Sequence, residues 1–276
     1  MFLPRTLAVI AVLTLTVGIA PLAEAQQKPF LIVAPLGFRP IASEPGVKLW
    51  RRGRDYVQIV SPAQGATIAL LHGDVIPSDG IGTNFARKNL RTWWEEWSAE
   101  EQSAFTLINA QFFNENHPRK SPLAFSTKMN GVVYVGYGDE TEYKGRKMLL
   151  RIGESHAVID EYNDDAGSLY TLPEPNIIVG LKPDVSKQGN TRRGRTFIGA
   201  MPGGDVLIFS SPAATQRFAT RMLIAFGVDR NKIMMLDGGG STQFIREGTL
   251  VIPEKKNGVE PYLRTLPLAI GVMKGQ

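Results

Sequence analysis

Arg195-Thr196-Phe197-Ile198-Gly199-Ala200, Pro202-Gly203-Gly204-Asp205, Val206-Leu207-Ile208-Phe209-Ser210: two apolar runs flank a turn-forming tetrad, which predicts a β-hairpin. Downstream, Ser211-Pro212 supplies an N-cap and a first-turn proline for a helix, with Phe218, Met222, Ala225 and Phe226 on one face and Gly227 at its end. A strand from Ile233 to Leu236 follows, and it runs into Asp237-Gly238-Gly239-Gly240-Ser241-Thr242. Hairpin, helix, strand and glycine loop are therefore consecutive.

Working back toward the N-terminus, Val47 to Trp50 and Tyr56 to Val60 flank Arg52-Gly53-Arg54-Asp55 and predict a second hairpin, with a third strand from Thr67 to Leu71. Residues Asn84 to Trp97 read as a helix, and Ser98 to Glu101 has capping-box spacing for a further helical turn. Phe105 to Ile108 is a short buried strand leading into Asn109-Ala110-Gln111-Phe112-Phe113-Asn114. Alternating strands are expected from Gly131 to Ile159. The polar stretch from Asn163 to Asn190 is expected to be a long surface loop broken by one strand at Ile177 to Gly180. Short strands with few helices predict an α+β fold: a single domain, its sheet mixed or largely antiparallel, with a few packed helices.

The chain has 276 residues, 43% of them hydrophobic, and no cysteine, which excludes disulfides and thiolate metal sites. Met1 to Arg5 and the uncharged, apolar stretch from Thr6 to Ala23 read as the n- and h-regions of a signal peptide, with Ala23-Glu24-Ala25 as the cleavage site. Residues 1–25 are thus expected to be removed and residues 26–276 to form a periplasmic or secreted domain with no stable membrane insertion. A formal charge of +5 and a pI of 9.4 suit an anionic partner. Nucleic acid is not expected, because export removes the opportunity and no nucleic-acid-binding motif is present.

Three consecutive glycines after a buried strand are conformationally expensive. A tight turn needs one. Three allow successive N–H groups of Gly238, Gly239, Gly240 and Ser241 to point at one anion, with the hydroxyls of Ser241 and Thr242 adding donors and Asp237 placing a carboxylate at the rim. No lysine follows, so this is not a Walker loop. In Arg192-Arg193-Gly194-Arg195-Thr196, Arg195 adjoins the apolar strand and offers a planar fork to phosphate oxygens, whereas Arg192 and Arg193 read as a solvated loop. Asn109, at a strand end, suits a sugar hydroxyl or a backbone turn. Trp93, Trp94 and Trp97 read as packing residues before sugar platforms, and His72, His117 and His156 have no metal-ligand spacing.

Together these segments resemble the phosphodiester glycosidase family. Asn109-Ala110-Gln111-Phe112-Phe113 is similar to its Asn-Gly/Ala-Gly-Tyr/Phe-Phe, Arg195-Thr196-Phe197-Ile198-Gly199 to its Arg-Thr-Ala-Ile/Val-Gly, and Leu236 to Thr242 to its Leu-Asp-Gly-Gly-Gly-Ser-Ser/Thr. The ending Arg264-Thr265-Leu266-Pro267-Leu268-Ala269-Ile270-Gly271-Val272 is similar to its Arg-Pro-Val-Pro-Asn-Ala-Ile-Gly-Val, and the agreement spans residues 105–273. Gln111 stands where the family has glycine, and Leu268 where many members have asparagine.

The resemblance implies a hydrolase that separates a sugar's anomeric carbon from a phosphodiester, on a sugar-phosphate-containing glycan or small molecule; no cofactor is expected, and the missing cysteines and the histidine spacing give no expectation of a metal. Asp237, Arg195 and Asn109 would be the catalytic group. Gly238, Gly239, Gly240, Ser241, Thr242 and Thr196 would bind substrate and phosphate, and Glu115 would be a possible second carboxylate. Phosphate is a weakly basic leaving group, so charge stabilisation replaces much of the proton donation that ordinary glycosides need. Two rivals stand beside this reading: a non-catalytic module that binds glycans or anionic polymers, and a phosphodiesterase that breaks P–O.

Overall fold

Ile177-Ile178-Val179, Val206-Leu207-Ile208-Phe209 and Ile233-Met234-Met235 are unbroken apolar runs, the pattern of strands covered on both faces. In a computed structural model, which describes residues 35, 37–78, 80–117, 119–139, 141–254, 259 and 261–276, all three lie in the middle of an eleven-stranded sheet. The expected signal peptide lies outside the described residues.

The order across this sheet is Arg39–Glu44, Val47–Arg52, Asp55–Val60, Val206–Ala214, Arg193–Ala200, Ile233–Met235, Asn176–Leu181, Lys147–Ile152 and Ala157–Glu161; Thr127–Met129 pairs with Asn176–Leu181, and Val132–Tyr134 with Thr127–Met129. Side chains alternate across it. Val57, Val179, Phe197, Leu207 and Phe209 face Ala219, Leu223 and Phe226, in and just after the helix Gln216–Ala225. Ile178, Ile198, Ile208 and Met234 face the other way, into a core shared with a five-stranded sheet ordered Thr249–Ile252, Phe244–Arg246, Ala104–Asn109, Leu268–Met273 and Thr67–His72. Across that core the Thr106 hydroxyl donates to Gln58 Oε1 at 2.8 Å, tying the sheets together.

The helix Leu90–Glu100 covers the outer face of the smaller sheet. Trp93 is buried and donates its indole N–H to Leu266 O at 3.4 Å. The Trp97 ring packs against Gly271, where a Cβ would come within 2.6 Å of it. The three tryptophans serve packing. The layers therefore run helix, sheet, sheet, helix. A three-stranded sheet of Val75–Ile76, Asn84–Ala86 and Lys120–Pro122 completes the described strands.

Both expected hairpins and the strands near Thr67, Phe105 and Ile233 form, and every pairing among the described strands is antiparallel. The sheet is thus not mixed, and strands outweigh helices further than an α+β reading implies. Four local expectations change for identifiable reasons. Asn84–Ala86 is a strand because it pairs with Lys120–Pro122, and the helix starts later, where the Asn89 side chain accepts from Thr92 N–H at 3.0 Å. It runs through Ser98 to Glu100, so the expected further turn is its last turn. Ser211-Pro212 does not open a helix: the strand continues to Ala214 across a bulge that absorbs the proline, and Thr215 is the cap. Within 163–190, the strand spans Asn176–Leu181 and is buried in the large sheet, and Ser168–Thr171 forms a short helix.

Candidate active site

The site forms where strand ends of the two sheets meet. Asn109 ends a strand of the smaller sheet, Thr196 lies in the large one, and Asp237 follows the strand Ile233–Met235. The Asn109 side chain joins all three. Its Nδ2 donates to Asp237 O at 2.8 Å and Ala110 O at 3.5 Å, while its Oδ1 accepts from the Thr196 hydroxyl at 2.7 Å and from Gln243 N–H at 3.3 Å. Backbone bonds from Asp237 N to Ala110 O (3.2 Å) and from Leu236 N to Thr196 O (3.0 Å) complete the joint. Asn109 is 1% exposed with all four hydrogen-bonding positions filled, and Thr196 is wholly buried. Neither has a group left for a ligand; they fix the geometry behind the site.

In front of this joint lies a cavity of about 340 Å³ with Asp237 on its lining. Four cations (Lys187, Arg193, Arg195 and Arg264) and three carboxylates (Asp237, Glu115 and Glu142) line it, together with Phe112, Phe113, Phe125, Tyr137 and Tyr143. Burial pushes the Asp237 carboxyl up to about 6, and the charge of Glu115 adds to the shift. Bonds from Ser241 and from Gly238 N–H (2.8 Å), with the charge of Arg264, pull the other way and keep it from rising further. Burial among neighbours that include Glu142, Tyr143 and Asp237 pushes Tyr137 up to about 12, so it is a neutral donor at ordinary pH.

The glycines are needed chiefly for close approach. Gly239 has φ +62°, and a Cβ there would sit 2.4 Å from Arg193 Nη2; one on Gly240 would sit 3.1 Å from Arg264 Nη2. The turn thus lets two guanidinium groups lie against backbone. Of the four N–H groups expected to point at an anion, that of Gly238 bonds Asp237 and that of Ser241 bonds Gly238 O at 3.2 Å. Those of Gly239 and Gly240 have no partner among the described residues. Ser241 is buried beside Asp237 and Arg264. Thr242 is 4% exposed and faces the opposite side of the turn, away from the cavity.

Arg195 is 2% exposed, and burial with the charge of Arg193 lowers its guanidinium to about 10. It donates to Ala214 O (3.3 Å), Lys187 O (2.9 Å), Gln188 O (2.7 Å) and Thr191 O (3.2 Å). Three of its five N–H groups therefore clamp the 187–191 loop, and a fourth holds the strand end at Ala214. That loop carries Lys187, whose ammonium lies 4.5 Å from the Tyr143 ring centroid and 5.3 Å from that of Phe112. Arg193 bonds Gln188 Oε1 on the same loop, and Glu115 pairs with Arg264 at the rim. The opposite wall is held by wholly buried Lys147, which bonds Asp139 O (2.5 Å) and Glu142 O (2.7 Å) and pairs with Asp164 at 2.7 Å.

Sequence reasoning read Arg193 as part of a solvated loop, whereas it lines the cavity, and it gave Arg264, Lys187 and Glu142 no site role. Alternation along the strand was a usable signal for Arg193, since residues two apart share a face and Arg195 had been singled out. Nothing local marked Lys187 or Glu142. Arg192 is exposed and bonds Ala213 O, apart from the cavity. The two departures from the family pattern both belong to the scaffold. Gln111 is buried and bridges Phe125 O (2.8 Å) to Val179 N–H (3.3 Å), and Leu268 is buried in the strand Leu268–Met273. Among the described residues, no group of three or more His, Asp or Glu side chains gathers as metal ligands would, and no helix is long and apolar enough to cross a membrane.

The fold and site together are a layered antiparallel scaffold with a cationic, aromatic-lined cavity over one carboxylate of raised pKa. The chain belongs to the phosphodiester glycosidase family, whose model matches residues 99–273. Its fold is similar to the catalytic domain of zebrafish N-acetylglucosamine-1-phosphodiester alpha-N-acetylglucosaminidase, a structure auto-inhibited by a pro-peptide, at 13% identity and TM-score 0.52 over 87% of this chain and 82% of that one. A hypothetical protein from Synechocystis is similar at 15% identity and TM-score 0.48; the alignment covers 86% of this chain but 61% of the cyanobacterial one. No curated protein sequence matches.

Proposed function

We propose that the protein hydrolyses the glycosidic bond of a sugar-1-phosphodiester, breaking the bond from the anomeric carbon to the phosphate oxygen. Water supplies the hydroxyl that ends on the sugar, and the leaving group departs as a phosphomonoester. The observation that supports this most directly is the cavity itself: one carboxylate with a raised pKa among four cationic side chains and five aromatic rings. Four cations against three carboxylates leave a surplus positive charge, which suits a phosphodiester monoanion.

In this reading Arg193 and Arg264 grip the phosphate oxygens bidentately, assisted by Gly239 N–H and by the remaining N–H of Arg195. Asp237, ionised at neutral pH, assists attack at the anomeric carbon or stabilises its developing positive charge. Glu115 keeps Arg264 in place. Glu142, whose carboxylate has no ion-pair partner among the described residues, is the second carboxylate available for proton transfer. The aromatic walls cover the sugar faces. Export through the N-terminal segment belongs to the same proposal, and the N-terminal mass of protein recovered outside the cytoplasm, expected to begin at Gln26, tests it.

The test is turnover of a panel of sugar-1-phosphodiesters, with free sugar and phosphomonoester as the measured products. Equal release of both by the native chain, and its loss in Asp237→Asn with binding retained, is the expected result. Binding without turnover across the panel would overturn the enzymatic reading in favour of a binding module.

A further inference from the structure

The 187–191 loop has a second side. Lys187 and Gln188 line the catalytic cavity, while Ser186, Gly189 and Asn190, next to them in sequence, line a separate cleft of about 510 Å³. A single thickness of backbone divides the two. The cleft's other wall is the helix Gln216–Ala225, which presents Arg217 and Arg221, and Arg230 closes one end. All three arginines are exposed, and none has a side-chain hydrogen bond or ion pair among the described residues. Asp184, the acidic residue of this lining, is already paired with Arg146 at 3.0 Å.

Such an arrangement opposes folding. Arg217 and Arg221 are one turn apart, a like-charge spacing that destabilises a helix, and the helix contains no acidic residue to offset it. Yet the same spacing directs both guanidinium groups into one concave surface, with Arg230 facing them. Three unneutralised planar forks around a cleft of this volume fit phosphate oxygens.

We propose that this cleft is a second anion site, which holds a phosphate further along the same substrate molecule, so that the protein acts on a polymer of sugars joined by phosphodiesters. The inference rests on the function proposed above for the neighbouring cavity. One phosphodiester lies at Asp237 and the polymer crosses the 187–191 loop. A following phosphate is gripped by Arg217, Arg221 and Arg230. The loop, held from one side by Arg195 and from the other by Gln216, whose Oε1 accepts from Lys187 N–H at 3.0 Å, is a fixed saddle between the two sites.

The experiment has two arms on the full chain. In the first, linear inorganic polyphosphate is titrated into the native protein, Asp237→Asn and the triple variant Arg217→Ala/Arg221→Ala/Arg230→Ala. The native protein and Asp237→Asn are expected to bind alike, and the triple variant about tenfold more weakly with a shallower salt dependence. Because all three side chains are exposed, the variant is expected to fold, and its melting temperature checks this. Equal binding by all three proteins, or none by the native one, overturns the second site. In the second arm, KM is measured for a single sugar-1-phosphodiester and for a phosphodiester-linked oligomer of the same sugar. A rise in the triple variant confined to the oligomer supports the shared substrate; equal effects on both overturn it. Failure of the native chain to turn over either substrate would count against the function proposed for the cavity, while the polyphosphate arm decides the cleft by itself.

Discussion

Asp237 is an acid held above its ordinary range in a cavity whose positive lining only partly offsets its burial. In the proposed function the ionised form acts on the anomeric carbon, so kcat/KM should rise with pH through a limb centred near 6. Asp237→Asn should lose roughly a thousandfold in turnover and flatten that limb. Stability should change in the opposite direction. The folded pKa lies above the unfolded one, so the folded state binds more protons between about 4 and 6, and the native chain loses stability as pH rises across that window. Asparagine mimics the protonated form. The variant should therefore match the native protein near pH 4 and exceed it by about 3 kcal/mol above pH 7, as thermal melts at both pH values would show. Asp237 was legible in the sequence because it ends an apolar run at three glycines. Asn109 was legible as a residue of consequence, but its partners were not, since Thr196 and Gln243 reach it only through the meeting of two sheets.

The turn at Gly238 to Gly240 and the loop from Lys187 to Thr191 form facing parts of the cavity and depend on different physics. For Gly239, a side chain is excluded twice, by φ +62° and by Arg193 within 2.4 Å of a Cβ. Gly239→Ala should cost about 1–2 kcal/mol. It should also raise KM about tenfold by displacing Arg193, while the pH limb near 6 stays in place, which steady-state kinetics across pH would check. The loop instead relies on Arg195. Arg195→Met should leave the carbonyls of Lys187, Gln188 and Thr191 without their donor and cost about 2–4 kcal/mol. Faster amide exchange across 187–191 would report it, and Arg195→Lys should recover part of the loss. Turn and hairpin positions could be read from glycine, proline and apolar runs. Strand ends at Ala86 and Ala214 could not, because pairing with distant segments decided them.

At the scale of the molecule, two sheets with helices outside them bring chain positions 109, 196 and 237 together, and the quality of that packing sets the geometry of the cavity. The Thr106–Gln58 bond is the polar tie across the inter-sheet core. Thr106→Val should strand Gln58 Oε1 away from water and cost about 1–3 kcal/mol, measurable by denaturant unfolding. Both hairpins and the strands near Thr67, Phe105, Ile177 and Ile233 were visible beforehand, since apolar runs and turn residues are local features, whereas Phe244–Arg246, Thr249–Ile252 and Leu268–Met273 of the smaller sheet were not read as strands. Strand order was not visible, and neither was the second layer, because an apolar run reads alike whether one sheet or a helix covers it. The most direct test of the whole account is hydrolysis of a sugar-1-phosphodiester in water enriched in oxygen-18, with both products weighed by mass spectrometry. The account predicts the heavy atom on the anomeric carbon of the released sugar and none in the phosphomonoester. Label appearing in the phosphate would mean that P–O is the bond broken and would contradict it.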